Sequence, residues 1–319
     1  MRLALPSMSP TEANTPSPTR LRVSEQTVYF TSSEDLSFLP EESVDFFMTS
    51  PPYWNLKDYG HPDEIGREDY EAYLDRMNMV WSECYRLAKS DSVMVINVAN
   101  RRHKKRFYPI GLDIASRMKG WVLWDILLWY IPNALPQPNH YMERLFDSKY
   151  EFLLVFTKDG ATDYEFHKPR VPQKYATADP RAHKKNPRGR CLGNIIRVPA
   201  YRPPNVKELG YHVAAYPEEL VALMLESFTS AGDTVFDPFV GSGTTLKVCN
   251  GMGRRGLGTE LNEDYGELIG RRIVERFELP DWKQLDIIHS SSMRTGMDGP
   301  RKIHLLRDDP GEGQPDLFS

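Results

Sequence analysis

Residues 233–245 read Asp-Thr-Val-Phe-Asp-Pro-Phe-Val-Gly-Ser-Gly-Thr-Thr, and that order leaves a chain few options. Three strand-forming residues, Thr234, Val235 and Phe236, run into Asp237, Pro238 and Phe239. Two glycines, Gly241 and Gly243, then flank Ser242 just before Thr244 and a helical pattern. A strand, a tight turn and a helix start satisfy this order. Glycine in such a turn lets backbone approach a ligand closely and adopt angles that a β-carbon forbids. The helix start offers unpaired amides to a polar or anionic group. A second strand-like run, 255–259, ends at Glu260, nineteen residues after Gly241. In doubly wound folds an acid at that strand tip binds ribose hydroxyls. Turn and acid together therefore indicate a site for an adenosine-containing cofactor, the plainer alternative being a turn glycine beside a solvated glutamate. Lys247 lies too far along the helix for a nucleoside triphosphate loop. The third glycine of the dinucleotide fingerprint is missing, which disfavours nicotinamide cofactors.

The rest of the chain alternates in the same way. Buried strands are predicted at 44–48, 93–98, 121–131, 152–157 and 234–236. Amphipathic helices are predicted at 68–89, 110–118, 217–230, 244–250 and 263–277. Strands alternating with helices imply an α/β fold, a doubly wound, mostly parallel sheet. The serine- and proline-rich residues 1–22 read as a disordered tail. Residues 23–157 and 206–290 form the two halves of the main domain, and 291–319 a C-terminal tail. Between the halves, 158–205 is rich in proline and poor in periodicity, so it reads as a small basic insertion.

Charge supports that division. The chain has 40 Lys+Arg against 44 Asp+Glu, yet Lys168 to Lys207 holds eleven basic side chains and one acid, Asp179. One strongly basic segment on a mildly acidic chain suits contact with a polyanion through one face, although a solvated loop would look alike. A second cluster, Arg101, Arg102, His103, Lys104, Lys105 and Arg106, follows a strand-like run. No apolar run approaches a membrane span, no secretory pattern is visible at Met1, and Cys84, Cys191 and Cys249 are too dispersed for a disulfide framework or a metal site. These features predict a cytoplasmic protein.

One further turn carries chemistry. Thr49-Ser50-Pro51-Pro52-Tyr53-Trp54 follows the strand 44–48 directly. Two prolines stiffen the backbone and remove two donors, leaving carbonyls beside a hydroxyl and a flat aromatic ring. Such a turn can accept hydrogens from an amino group while Tyr53 stacks on a planar ring. A proline-rich loop with a packed aromatic is the bland alternative.

Together the two turns resemble the S-adenosylmethionine-dependent DNA methyltransferases that modify exocyclic amines. With the catalytic turn first and the cofactor turn second, the order is that of their permuted β group. The run 212–220, opening at His212, resembles the helix-opening motif ahead of the cofactor turn, and Gly256 to Asn262 with Tyr265 resembles the second cofactor motif. The likeness covers about 27–157 and 192–277. It implies a Rossmann-like methyltransferase fold and S-adenosylmethionine held by Asp237, Pro238, Phe239, Gly241, Ser242, Gly243, Thr244, Glu260 and His212. Ser50, Pro51, Pro52 and Tyr53 would act on a base swung out of duplex DNA. Trp54, Lys184, Lys185, Arg188 and Arg190 would touch DNA, with recognition in 158–205 and the Arg101–Arg106 cluster at most on the backbone. The family often has Gly-Asp where this chain has Thr31-Ser32; Glu34 and Asp35 lie nearby but out of register.

Within the family, Ser-Pro-Pro-Tyr after Thr goes with cytosine-N4, so the expected product is N4-methylcytosine. The alternatives are adenine-N6, an RNA substrate, or an inactive DNA-binding regulator. The likeness also suggests pairing with a restriction enzyme or action alone, a homodimer and a nucleoid-associated location. The ending Gln314-Pro315-Asp316-Leu317-Phe318 resembles a sliding-clamp docking peptide, in which Leu317 and Phe318 would fill an apolar pocket.

Overall fold

A computed structural model describes residues 18–55, 60–135, 144–171, 189–200 and 216–286. Among the described residues there are thirteen strands: β1 (Arg20–Val23), β2 (Gln26–Phe30), β3 (Val44–Thr49), β4 (Ala88–Val98), β5 (Arg101–His103), β6 (Arg106–Tyr108), β7 (Trp121–Tyr130), β8 (Tyr150–Lys158), β9 (Arg170–Val171), β10 (Arg190–Cys191), β11 (Ile195–Arg197), β12 (Thr234–Asp237) and β13 (Arg255–Glu260). The helices are α1 (Tyr70–Leu87), α2 (Ile110–Arg117), α3 (Glu218–Phe228), α4 (Thr244–Gly251), α5 (Gly266–Val274) and the short α6 (Trp282–Leu285).

Nine strands form one sheet in the order β1-β2-β13-β12-β3-β4-β8-β7-β11. The centre, β2 through β4, is parallel, whereas β8 runs antiparallel to both its neighbours. Strand side chains alternate between faces, and the core divides accordingly. Phe47, Met94 and Ile96 meet α1 and α2 on one face. Phe46, Met48, Val93 and Val95 meet α3 and α4 on the other.

Helix α1 shows how the sequence dictates this. Tyr73, Leu74, Met77, Val80, Trp81, Cys84 and Leu87 recur at helical spacing, and all are buried. Each large apolar side chain so buried contributes about 1.5–3 kcal/mol. Asp69 caps the start by accepting from the amides of Glu71 and Ala72, both at 3.1 Å. At Ala88 the backbone turns extended and β4 begins, earlier than the expected 93 because Lys89, Ser90 and Asp91 hide the strand pattern.

Two further boundaries move. Residues 20–22, assigned to the tail, join β1 at the sheet edge and pair with β2. Ile195–Arg197, assigned to the insertion, pairs in parallel with β7, and Val171, Leu192, Ile196 and Val198 enter the core. Runs of three residues are too short for periodicity to reveal.

The connection from β3 through α1 leads to β4 on one side, and that from β12 through α4 leads to β13 on the other. Between β3 and β12 the winding reverses, and ligands of open α/β sheets bind at that crevice. No helix among the described residues is long and apolar enough to cross a membrane.

Candidate active site

At the reversal point Val235 and Phe236 of β12 pair with Phe46 and Phe47 of β3, so the turns leaving the two strands open side by side. Both line one cleft of about 930 Å3, including open solvent at its mouth. Ser50, Pro51, Pro52 and Tyr53 form one wall. Pro238, Phe239, Gly241, Ser242, Thr244 and Glu260 form another. The expected meeting of the two turns is therefore present.

The glycine turn adopts the backbone angles that its sequence suggests. Gly241 and Gly243 have φ of 53° and 86°, in the left-handed region. A β-carbon on Gly243 would lie 3.3 Å from Ile269 Cγ2, so this glycine seats α4 against α5 and does not face the cleft. Glu260 Oε2 accepts from the Gly241 amide at 2.9 Å, and Oε1 from the Asn262 amide at 3.0 Å. Burial nevertheless pushes the Glu260 carboxyl up to about 7.

Asp237 departs from expectation. It is fully buried beneath the cleft and does not line it. Oδ1 accepts from Thr49 Oγ1 at 2.7 Å and from the Phe239 amide at 3.0 Å. Oδ2 accepts from Thr245 Oγ1 at 2.5 Å and from the Tyr216 hydroxyl at 3.3 Å. Burial raises its pKa while these donors oppose the rise. Asp237 is thus a joint that bolts the proline turn to the glycine turn.

The proline turn is held from several sides. Tyr73 donates its hydroxyl to the Pro52 carbonyl at 3.1 Å. Tyr53 donates to Glu151 Oε2 at 3.1 Å, and Asn97 donates to the same oxygen at 3.0 Å. Burial raises the Glu151 pKa, partly offset by these two donors. Among the described residues neither Ser50 Oγ nor the Pro51 carbonyl has a hydrogen-bond partner, which leaves two acceptors for a ligand.

Trp54, expected at DNA, is instead 6% exposed. Its indole nitrogen donates to the Glu68 carbonyl at 2.8 Å, and its ring packs against Tyr108, Tyr70 and His103. A large ring with a satisfied donor in a buried cluster is an anchor for the turn. His212, Lys184, Lys185 and Arg188 lie outside the described residues, as do Gln314, Leu317 and Phe318. Arg190 falls on β10, which pairs with β9 in a separate two-stranded sheet.

Sequence reading missed several contributors. Thr31, Ser32 and Ser33 line the cleft, as do Asp63, Glu64 and Ile65. Ser33 donates to the Pro238 carbonyl and shares a 2.7 Å hydrogen bond with Thr259 Oγ1. Glu34 is occupied elsewhere: Arg76 grips both its oxygens, at 2.8 and 2.6 Å, and holds its pKa below the usual carboxylate range. Asp35 accepts from the Ser37 amide at 3.0 Å, and neither acid lines the cleft. Glu151 and Asn97 sit on neighbouring strands with no motif between them.

The match to known families decides the class. Residues 44–271 match the N6/N4 methyltransferase family described as DNA methylase. The chain belongs to this family. Curated relatives include the type II methyltransferase M.SmaI of Serratia marcescens, 29% identical, with 76% of this chain and 88% of that protein covered. M.XycI of Xanthomonas campestris pv. cyanopsidis is 30% identical, with 74% and 83% covered. Among solved structures, Thermus thermophilus TTHA0409 complexed with S-adenosyl-L-methionine is 28% identical, with a TM-score of 0.53 and 78% and 94% covered. The PvuII DNA methyltransferase (cytosine-N4-specific) is 18% identical, with a TM-score of 0.59 and 88% and 93% covered, a likeness of fold.

The protein is thus a DNA methyltransferase of the N4/N6 class, and S-adenosylmethionine is its methyl donor. The residues present fit that cofactor. Glu260 offers carboxylate oxygens at the tip of β13, and Thr244 Oγ1 lies buried at the cleft wall without a partner among the described residues. Apolar Phe239, Val240 and Leu261 also line the cleft.

Proposed function

We propose that the protein methylates the exocyclic N4 of cytosine in duplex DNA, within a base extruded into the cleft. The observation that carries the reading is the single cleft bounded by Ser50 and Tyr53 on one side and Glu260 on the other. When bound, S-adenosylmethionine supplies an electrophilic methyl group. The chain's task is the nucleophile, because the amine's lone pair is delocalised into the base. Ser50 Oγ and the Pro51 carbonyl accept the amine hydrogens and favour a localised lone pair. Both contacts strengthen as positive charge builds on nitrogen, so they favour the transition state over the ground state. Tyr53 stacks on the ring, its hydroxyl held by Glu151. On the cofactor side, Glu260 takes the ribose hydroxyls and Thr31 to Ser33 flank the adenine, the role that Glu34 and Asp35 do not take.

The order Thr49-Ser50-Pro51-Pro52-Tyr53, which goes with cytosine-N4 in the family, supports cytosine over adenine. Recognition of the target sequence is assigned to the basic residues of 158–205, and Gln314, Leu317 and Phe318 to docking on the sliding clamp. Labelled S-adenosylmethionine and duplex DNA, followed by digestion to nucleosides and mass identification, test the reading. N4-methylcytosine is expected. N6-methyladenine would reassign the base and leave the chemistry intact, whereas label appearing only on RNA would overturn the substrate.

A further inference from the structure

The β5–β6 hairpin carries five permanent cations within six residues, Arg101, Arg102, Lys104, Lys105 and Arg106. Among the described residues none of the five makes an ion pair. The pairing of His103 with Arg106 leaves Lys104 and Lys105 as a two-residue turn. Their φ angles are 46° and 65°, both in the left-handed region. A turn of that kind favours Asn-Gly, because side chains other than these are strained there. Two lysines are a poor choice for the backbone, so their presence needs a reason other than turn geometry. Strained residues held by their surroundings cluster where a ligand is met.

The two faces of the hairpin differ. On the inner face His103 and Tyr108 pack on Trp54, at 5.4 and 4.6 Å between rings. Arg101 Nη2 donates to the carbonyl of Asn55 at 2.5 Å, two residues beyond Tyr53. On the outer face the Arg102 guanidinium lies 5.2 Å over the ring of Phe107, which is 47% exposed. The hairpin is thus fastened to the base-binding turn on one side and presents cations with an aromatic on the other. Uncompensated cations interleaved with an aromatic ring match a nucleic-acid backbone.

We propose that the tip and outer face of this hairpin bind the phosphodiester backbone beside the extruded base, through Lys104, Lys105 and Arg102, while its inner face holds the catalytic turn. The inference rests on DNA being the substrate. Phosphate binding at the tip then acts on the same rigid piece that carries Ser50 and Tyr53, which aligns the turn when the duplex docks.

The decisive variant is Lys104→Asn with Lys105→Gly, which removes both charges and supplies the residues the turn favours, so the hairpin stays folded. Duplex affinity is measured at a series of salt concentrations, with the affinity for S-adenosylmethionine measured in parallel. Each lost phosphate contact lowers the slope of log affinity against log salt by roughly 0.9. The double variant is expected to lose about two units of slope, Arg102→Gln about one, and Lys104→Arg with Lys105→Arg none. Cofactor affinity stays at the wild-type value. A double variant with wild-type slope and affinity overturns the proposal, and so does parallel loss of cofactor binding, which would make the hairpin structural. Failure of the DNA reading itself looks different: the wild-type protein would transfer no methyl group to any duplex.

Discussion

The two turns that share the cleft begin alike and end as opposites. Each leaves the C-terminal end of a buried, central parallel strand, β3 in one case and β12 in the other. After β12, glycines in the left-handed region carry the chain into α4, and the Gly241 amide donates to the Glu260 carboxylate at the cleft wall. After β3, two prolines delete amides and leave a carbonyl and a hydroxyl to accept hydrogens. On the proposed reading, one turn steadies Glu260 for the cofactor while the other offers acceptors to an amine, so neighbouring strand tips hold the two side by side. Asp237 ties them together from below, through Thr49 at the end of β3 and the Phe239 amide in the turn after β12.

The sharpest break in the pair is expected from Ser50→Ala. It removes an acceptor needed only on the base side, so kcat should fall by about 10²- to 10³-fold with cofactor affinity unchanged. Rapid-quench assays and calorimetric titration measure the two quantities. An equal loss of cofactor affinity would mean that the turns are not divided by role. Asp237→Ala should instead damage both sides at once. It strips the acceptor from Thr49, Thr245, Tyr216 and the Phe239 amide, a stability loss of roughly 3 kcal/mol read from denaturant unfolding. Both kcat and cofactor affinity should drop in the fraction that folds; damage confined to the cofactor side would show that the joint transmits nothing.

Glu260 sharpens the other half. Glu260→Gln should weaken cofactor binding by about 10- to 100-fold, the worth of hydrogen bonds to a charged acceptor. Its pH dependence follows from the raised pKa. With the free carboxyl titrating at about 7 and ribose hydroxyls favouring the anion, wild-type affinity should rise through pH 7 and level off above it. The variant should show a flat profile. The stability sign is opposite: a carboxyl raised from 4.5 disfavours the cofactor-free fold increasingly as pH climbs from about 4.5 to 7. Glu260→Gln without cofactor should therefore melt higher than wild type at pH 8 and gain nothing at pH 4.5.

Legibility followed the same division. The glycine turn, Glu260 and the proline turn are local strings whose backbone demands show in composition, so sequence alone located both walls of the cleft. Helix α1 was equally visible, because seven buried residues keep one period for eighteen positions. What stayed hidden depends on contacts far apart in the chain. Asp237 looked like a ligand because its strand ends at the site, and only the hydroxyl of Thr49, 188 residues away, reveals it as a joint. Trp54 looked like a base contact because it follows Tyr53, yet its ring packs into the Tyr70–Tyr108 cluster. Glu151 announces nothing locally. Its meaning comes from Asn97 across the β4–β8 pairing and from Tyr53 across the turn.

The smallest expected effect bears most directly on the joint. Thr49→Val keeps the size and strand preference of the side chain and removes one hydrogen bond, that to Asp237 Oδ1, which still accepts from the Phe239 amide. Because the carboxylate retains three of its four donors, the stability loss should be about 1 kcal/mol, a shift of roughly 2 °C in Tm for a domain of this size. Thr49→Ser restores the hydroxyl and should restore most of the stability. The informative quantity is the split between the two turns. If Asp237 positions the catalytic turn through this bond, Thr49→Val lowers kcat several-fold more than it lowers cofactor affinity, and Thr49→Ser recovers it. If kcat stays at the wild-type value while Tm falls, the bond stabilises the sheet edge alone, and the alignment of Ser50 must come from Tyr73 and Glu151 on the far side of the turn.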